Sequence, residues 1–178
     1  WVNFDYEVSC IGVRNIDGDV AIYPLSHNIH EGGILRTSRS PVDAPALAER
    51  AEAYVRRLLD HLNYVGVLAL ELFVCGEKLL ANEFAPRVHN SGHWSIEGSK
   101  TSQFENHLRA ILGMTLGTTS TARIHGMVNI LGNYDREQAL SGLSANAALH
   151  DYNKTPAPLR KRGHINVAAE SREGVESE

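Results

Sequence analysis

The sequence predicts an α+β fold, an antiparallel sheet with packed helices, and three observations carry that expectation. Strand-like stretches come in pairs separated by turn residues, as hairpins do. One long segment, residues 44–62, has the three- and four-residue apolar spacing of a packing helix. Helix and strand signals do not alternate in the order that a doubly wound parallel sheet requires.

The elements follow in chain order. Tyr6 to Arg14 is strand-like, Asp17-Gly18 tolerates positive φ, and Val20 to Leu25 returns as the second arm of a hairpin. The segment His27-Asn28-Ile29-His30-Glu31-Gly32-Gly33 reads as a polar connection leading to Ile34-Leu35-Arg36-Thr37. In residues 44–62, Leu47, Ala48, Ala51, Tyr54, Val55, Leu58, Leu59 and Leu62 fall on one helical face, with Asp43 placed as N-cap. Gly66 to Val74 is apolar except at Glu71, Cys75-Gly76-Glu77-Lys78 turns the chain, and Leu79 to Phe84 returns. Ser102-Gln103-Phe104-Glu105 has capping-box spacing and opens a helix through Leu112. Residues 122–131 are strand-like, residues from 133 to Pro156 and Pro158 read as polar helix or loop, and Leu159 to Val167 follows. The chain opens in strand-like residues without an initiator Met and closes on Glu170–Glu178, polar and without a hydrophobic face. Both ends suggest a fragment of a longer protein.

Composition bounds the function. At 178 residues and 43% hydrophobic the chain can bury one sizeable core. Seventeen basic against 21 acidic residues, a net charge of −4, carries no signature of nucleic-acid binding or of a polybasic membrane anchor. No apolar run approaches a membrane span and the first residues lack a signal-peptide layout. Cys10 and Cys75 have no CxxC spacing and read as free thiols in a reducing compartment. A cytoplasmic protein with no nucleic-acid or membrane partner is the expectation.

The chemistry concentrates in residues 66–83. A turn centred near Glu77 puts position 71 opposite position 83, and alternation places Val67, Ala69, Glu71 and Phe73 on one face with Leu79, Ala81 and Glu83. Two carboxylates about 5 Å apart repel by about 3 kcal/mol at an effective dielectric of about 20. Such a pair persists if one carboxyl is protonated or if a hard cation such as Mg²⁺ sits between them. The competing reading is two solvated glutamates on an edge hairpin, and a one-residue slip in register would separate them. Next comes Phe84-Ala85-Pro86-Arg87-Val88-His89-Asn90-Ser91-Gly92-His93-Trp94, a loop whose Arg87, His89 and Asn90 suit a phosphorylated substrate. Arg160-Lys161-Arg162 is a second basic cluster that could meet the same phosphate, or an ordinary solvated charge run.

These strings resemble the signature of the 5-(carboxyamino)imidazole ribonucleotide synthetase family, within the ATP-grasp superfamily. The likeness rests on Tyr64-Val65-Gly66-Val67 leading to Glu71, and on Asn82-Glu83 through Trp94. It extends to Tyr23-Pro24-Leu25-Ser26-His27-Asn28, Gly33-Ile34-Leu35-Arg36-Thr37-Ser38, Ser102 to Ala110, and Arg160-Lys161 before Gly163-His164-Ile165-Asn166. It runs from about residue 6 to 167, and the Arg-Val-His-Asn-Ser-Gly-His-Trp string is its most specific part.

The resemblance implies the C-terminal part of an ATP-grasp fold. Residues 1–117 would be the C-terminal half of the ATP-grasp domain, and 118–178 a truncated C-terminal subdomain. It implies a carbon–nitrogen ligase of purine synthesis that uses ATP and bicarbonate to carboxylate the exocyclic amine of aminoimidazole ribonucleotide, with carboxyphosphate formed and ADP and phosphate released. Glu71 and Glu83 match the Mg²⁺ ligands. Glu7, His30, Asn82 and Glu83 match nucleotide contacts, Glu7 at the ribose hydroxyls. Arg87, His89 and Asn90 match the substrate loop and are expected to be catalytic, and Arg160 and Lys161 match the ribonucleotide-phosphate contacts. The family also implies a homodimer for the whole protein. It places a Rossmann-like domain and a small ATP lid before the point where Trp1 stands, so this piece alone is expected to be inactive or nearly so. Two alternatives remain at this stage: a formyl-transferring or carboxylating ATP-grasp relative, which the His-Asn-Ser-Gly-His string opposes, and a non-catalytic nucleotide-binding or scaffold module.

Overall fold

Turn residues divide the chain into hairpins, and the computed structural model, which describes residues 1–177, joins them into one antiparallel sheet. The strands are β1 (Tyr6–Arg14), β2 (Val20–Ile22), β3 (Ser26–Glu31), β4 (Ile34–Ser40), β5 (Gly66–Cys75), β6 (Lys78–Ala85), β7 (Ile124–Leu131), β8 (Ala147–Asp151) and β9 (Lys161–Ala169). Their spatial order is β6-β5-β1-β3-β4-β7-β9-β8, with β2 added to β1. The α+β architecture is the one the hairpin pattern predicts.

Helix α1 (Pro45–His61) packs on one face of β1 and β5. Leu47, Ala51, Val55 and Leu59, spaced by four, bury against Val8, Cys10, Leu68, Leu70, Leu72 and Val74. The stripe is narrower than the sequence suggests: Tyr54 and Leu62 are 38% and 45% exposed. The N-cap is Ala44, with no side-chain cap and Pro45 in the first turn. Asp43 therefore does not cap the helix; the preset φ of proline starts it.

The other face of the sheet buries Ile11, Val13, Tyr23, Val67, Ala69 and Met127 together with Trp94 and Ala110. Helix α3 (Gln103–Ile111) covers it, and Ser102 Oγ accepts from the Glu105 N–H at 3.2 Å, the expected cap. The helix stops one residue short of the expectation, with Leu112 as C-cap. A 3₁₀ turn at Asn90–Gly92 and the single turn α2 (Ser95–Gly98) lead into it.

Two strands and a helical turn emerge where the sequence reads as polar connection, loop or tail, and a further helical turn falls where polar helix or loop is expected. β3 pairs with β4 over His27–Glu31, and its buried positions Ser26 and Asn28 are polar, so no apolar alternation marks it. Ser38 Oγ donates to Asn28 Oδ1 at 2.7 Å, which satisfies that face with hydrogen bonds instead of hydrophobic contact. Helix α4 (Arg136–Ser141) is capped by Asp135, whose Oδ1 accepts from the N–H groups of Glu137 and Gln138 at 2.9 and 3.1 Å. β8 is a short edge strand held by β9. The tail expected to lack a hydrophobic face forms α5 (Arg172–Ser177), and its Val175 lies over Gly126; Glu178 is outside the described residues. Both cysteines are free, and burial pushes the Cys10 thiol up to about 12. Among the described residues no helix is long and apolar enough to cross a membrane.

Candidate functional site

The β5–β6 hairpin sets the acid pair. Glu71 is the register partner of Glu83, as the sequence predicts, but the route differs. The turn is the two-residue Gly76-Glu77, with Gly76 at φ 59°, so Cys75 pairs with Lys78 and Leu72 with Ala81. A register shift after Glu71 leaves Asn82 as the extra residue of a bulge, and the ladder resumes with Glu71 opposite Glu83. The expectation that Leu79 and Ala81 share the Glu71 face is corrected by this. Leu79 pairs with Val74 and is buried in the α1 core, whereas Phe73 pairs with Leu80.

Across β1, Glu7 lies on the strand next to β5, and its carboxylate Oε2 meets His30 Nδ1 from β3. Phe4 stacks on Phe73 with ring centroids 4.5 Å apart. Glu7, His30, Glu71, Asn82, Glu83, His89 and Asn90 line one cleft of about 570 Å³ with Phe4, Gly33 and Leu35. A second concavity of about 570 Å³ lies under α4, lined mostly by apolar side chains such as Val128, Ile130, Leu143, Ile165 and Val167. It lacks the convergent carboxylates and imidazoles of the first.

The loop after β6 is locked from behind. Gln103, fully buried, accepts from the His89 N–H at 2.9 Å and donates to the His89 carbonyl at 2.6 Å. Gly92 permits this closeness, since a Cβ there would stand 2.4 Å from Ile11 Cδ1 and 2.9 Å from Gln103. Ser9 Oγ donates to Ser91 Oγ at 2.7 Å, and Ser91 Oγ lies 2.8 Å from His89 Nδ1. The Ser91 backbone N–H also points to Nδ1 at 3.4 Å, which makes Nδ1 the acceptor and Nε2 the protonated nitrogen. Nε2 then faces Glu71 Oε1 at 3.4 Å. Burial, with the charges of Arg87, His30 and Lys161, lowers His89 to about 4, so this contact joins a neutral imidazole to a carboxylate and is not an ion pair. Burial also raises Glu71; His30 opposes that shift, and the like charges of Glu83 and Glu7 add to it. A proton or a cation relieves this site.

From the far end of the sheet, Lys161 Nζ donates to Asn90 Oδ1. Burial, helped by Lys154, lowers Lys161 to about 8. Arg160 is exposed, with its guanidinium 3.5 Å from the Thr155 carbonyl and outside the cleft lining. Arg87 is exposed, donating to its neighbour's Val88 carbonyl at 3.0 Å, at a range where its charge acts on Glu71 and His89. Sequence reasoning missed Ser9, Gln103 and the imidazoles behind the loop. His93 Nδ1 is 3.1 Å from the His89 carbonyl, and its ring lies 4.7 Å from that of His164. Gln103, His93 and His164 stand in strings that carry the resemblance, but nothing in those strings marks their packing behind the loop.

The neutral rings set a pH dependence. Burial lowers His89, His93 and His164 to about 4, 3 and 2 from an ordinary 6.5, so the unfolded chain binds more protons than the folded one below about pH 6.5. Stability is unaffected by these groups above that value and falls as pH drops through it. The slope is about 1.4 kcal/mol per pH unit for each ring that stays neutral. Urea unfolding at pH 7, 6 and 5 should show that decline; a flat profile would contradict it.

Comparison with known proteins gives the family. The ATP-grasp domain family matches residues 1–104, more than half of the chain. The chain belongs to the ATP-grasp family. Residues 126–178 match the phosphoribosylaminoimidazole carboxylase C-terminal domain. The N5-carboxyaminoimidazole ribonucleotide synthase of Vibrio cholerae is 49% identical over 170 residues, covering 96% of this chain and 45% of that protein. The crystal structure of the Thermus thermophilus N5-carboxyaminoimidazole ribonucleotide synthetase superimposes with a TM-score of 0.95 at 50% identity, over 99% of this chain and 49% of that one. The Aspergillus clavatus N5-carboxyaminoimidazole synthase, solved with ADP and 5-aminoimidazole ribonucleotide, gives 0.91 at 32% identity over 99% and 50%. The chain spans about half the length of the curated relatives it matches. Within the ATP-grasp fold its acid hairpin shares one cleft with His89 and Asn90 of the loop that follows.

Proposed function

We propose that these residues form the metal-and-phosphate wall and the substrate loop of an ATP-dependent carboxylating ligase. It converts 5-aminoimidazole ribonucleotide, bicarbonate and ATP to N5-carboxyaminoimidazole ribonucleotide, ADP and phosphate. The observation that carries this reading is the cross-strand pair Glu71–Glu83 opening onto the cleft that also holds His89 and Asn90.

The donor set suits Mg²⁺. The two carboxylates are hard oxygen ligands, and Glu71, raised chiefly by burial and further by the like charges of Glu83 and Glu7, would be relieved by a cation. Among the described residues no group of three His, Cys, Asp or Glu side chains makes a cage of its own, so nucleotide oxygens and water would complete the coordination. When bound, the ion neutralises phosphate charge. Glu7 and His30 offer a paired acceptor and donor for a nucleotide's polar groups, and Asn82, pushed out by the bulge, adds an amide beside Glu83. Neutral His89 presents its Nε2–H from a fixed ring, and Arg87 and Lys161 supply the cations for a phosphorylated substrate. Arg160 is kept as a phosphate contact that would have to swing in from solvent.

In the same reading, residues 1–117 are the ATP-grasp half and 118–178 a C-terminal subdomain, and the active protein is a cytoplasmic homodimer. The test is ADP release by the active protein that carries this chain. It should require 5-aminoimidazole ribonucleotide and bicarbonate together and yield one carboxylated product per ADP. ADP release that ignores either co-substrate would refute the assignment.

A further inference from the structure

The β8–β9 hairpin carries a tyrosine that the reaction as proposed does not use. Tyr152 follows β8 directly, and its N–H donates to the Arg162 carbonyl at 2.9 Å, so the ladder fixes its backbone. Two ammonium groups sit at its ring, Lys161 Nζ at 5.4 Å and Lys154 Nζ at 5.1 Å from the centroid, within the range of a cation–π contact. The Tyr152 hydroxyl and His164 Nδ1 share a hydrogen bond of 2.7 Å. His164 is 2% exposed, and its Nε2 has no partner among the described residues, so this is the hydrogen bond that orients the ring. His164 stacks on His150, with centroids 4.4 Å apart and planes 11° from parallel, and His150 Nε2 bonds to Glu97 Oε1 at 2.8 Å. His93, which holds the His89 carbonyl, touches the same stack.

We infer that Tyr152 is a positioning residue for Lys161: its ring face holds the ammonium, charged, at the Asn90 end of the cleft, and its bond to His164 holds the ring. The inference rests on the reading of Lys161 as a contact to the substrate phosphate. Lys161 needs such help. The groups facing it are the Asn90 amide, the Tyr152 ring, the like charge of Lys154 and the neutral imidazoles of His93 and His164. None is an anion, so the negative face of the ring joins the Asn90 Oδ1 acceptor in favouring the charged form before substrate arrives. A phosphate then meets a cation already aimed, without the cost of ordering a long side chain.

Tyr152→Phe keeps the ring and loses the hydroxyl; Tyr152→Leu loses both. In the active protein, Tyr152→Leu is expected to raise KM for 5-aminoimidazole ribonucleotide about tenfold, with kcat and KM for ATP within about twofold. The alkaline limb of kcat/KM should move about one pH unit lower, because the ammonium keeps Asn90 but loses the ring face that favours its charge. Tyr152→Phe should stay within about threefold of the parent, with the limb unmoved. If Tyr152→Leu does not fold, Tyr152→Met fills the space without a π face and carries the same expectation. An unchanged KM in the non-aromatic variant, a phenylalanine variant as impaired as leucine, or equal losses in kcat and in KM for ATP would each overturn the inference. Lys161→Met separates the underlying reading: if it leaves KM for 5-aminoimidazole ribonucleotide unchanged, Lys161 is not a phosphate contact, whatever Tyr152 does.

Discussion

Replacing Glu83 with glutamine is expected to lower ADP release by about a thousandfold while leaving the melting temperature within a degree or two. The side chain is exposed on the edge strand β6, and the amide has the same shape, so no packing is lost. What changes is charge. The proposed cation loses one of its two protein carboxylates, and metal stabilisation worth several kcal/mol corresponds to about three orders of magnitude in rate. Glu71 responds in the opposite sense: removing its like-charged register partner lets it ionise more readily, but the cleft is still one negative charge short. Raising Mg²⁺ should recover part of the rate. Parent-like ADP release at saturating ATP, bicarbonate and 5-aminoimidazole ribonucleotide would remove Glu83 from the role assigned to it.

Gln103→Leu is expected to cost about 3 kcal/mol of stability, through a mechanism that also reaches the site. Leucine fills the buried volume but offers nothing to the His89 N–H and leaves its carbonyl with the longer contacts from the Gly92 N–H and His93, both at 3.1 Å. A buried group left without its partner costs about 1–3 kcal/mol, and a loss of about 3 kcal/mol in a chain of this size corresponds to a fall in Tm of about 6–12 °C. His89 then loses the backbone anchor that aims Nε2 at Glu71. Thermal unfolding followed by circular dichroism reads the first effect, and ADP release at a temperature where the variant is folded reads the second. A variant with parent-like Tm would show that the loop holds its own shape.

The sequence is most legible where side-chain pattern and backbone need coincide. The four-residue stripe of α1, the Ser102 cap and the run through β5 and β6 are visible because burial, capping and alternation leave compositional traces. The facing of Glu71 and Glu83 follows in sequence from a symmetric turn about Glu77. The molecule reaches it with a shorter turn and a bulge at Asn82, and that difference is why Leu79 falls on the opposite face from the one expected. Nothing in residue type announces a bulge of this kind. β3 is hidden because Ser26 and Asn28 are buried by hydrogen bonding and not by apolarity, and β8 because it is short and at an edge. The meeting of Lys161 with Asn90, and the service of Gln103 to His89, are long-range contacts that no local pattern encodes. Arg160 and Lys161 stand side by side in sequence, yet Arg160 ends the exposed connection while Lys161 opens β9, and only Lys161 reaches Asn90.

The pairing of β4 with β7, Thr37–Ser40 against His125–Val128, makes the acid hairpin and the Lys161 strand parts of one continuous hydrogen-bonded surface. A hinge needs a few residues free to change φ and ψ without surrendering backbone bonds, and a ladder offers none. The anionic end of the cleft and its cationic end are thus held at a set span, like the jaws of a fixed gauge. Any opening and closing over this cleft falls to whatever polypeptide approaches its open side. Substitutions within these strands would then act on rate through the geometry of the gauge at rest, and lost motion would have to be sought elsewhere.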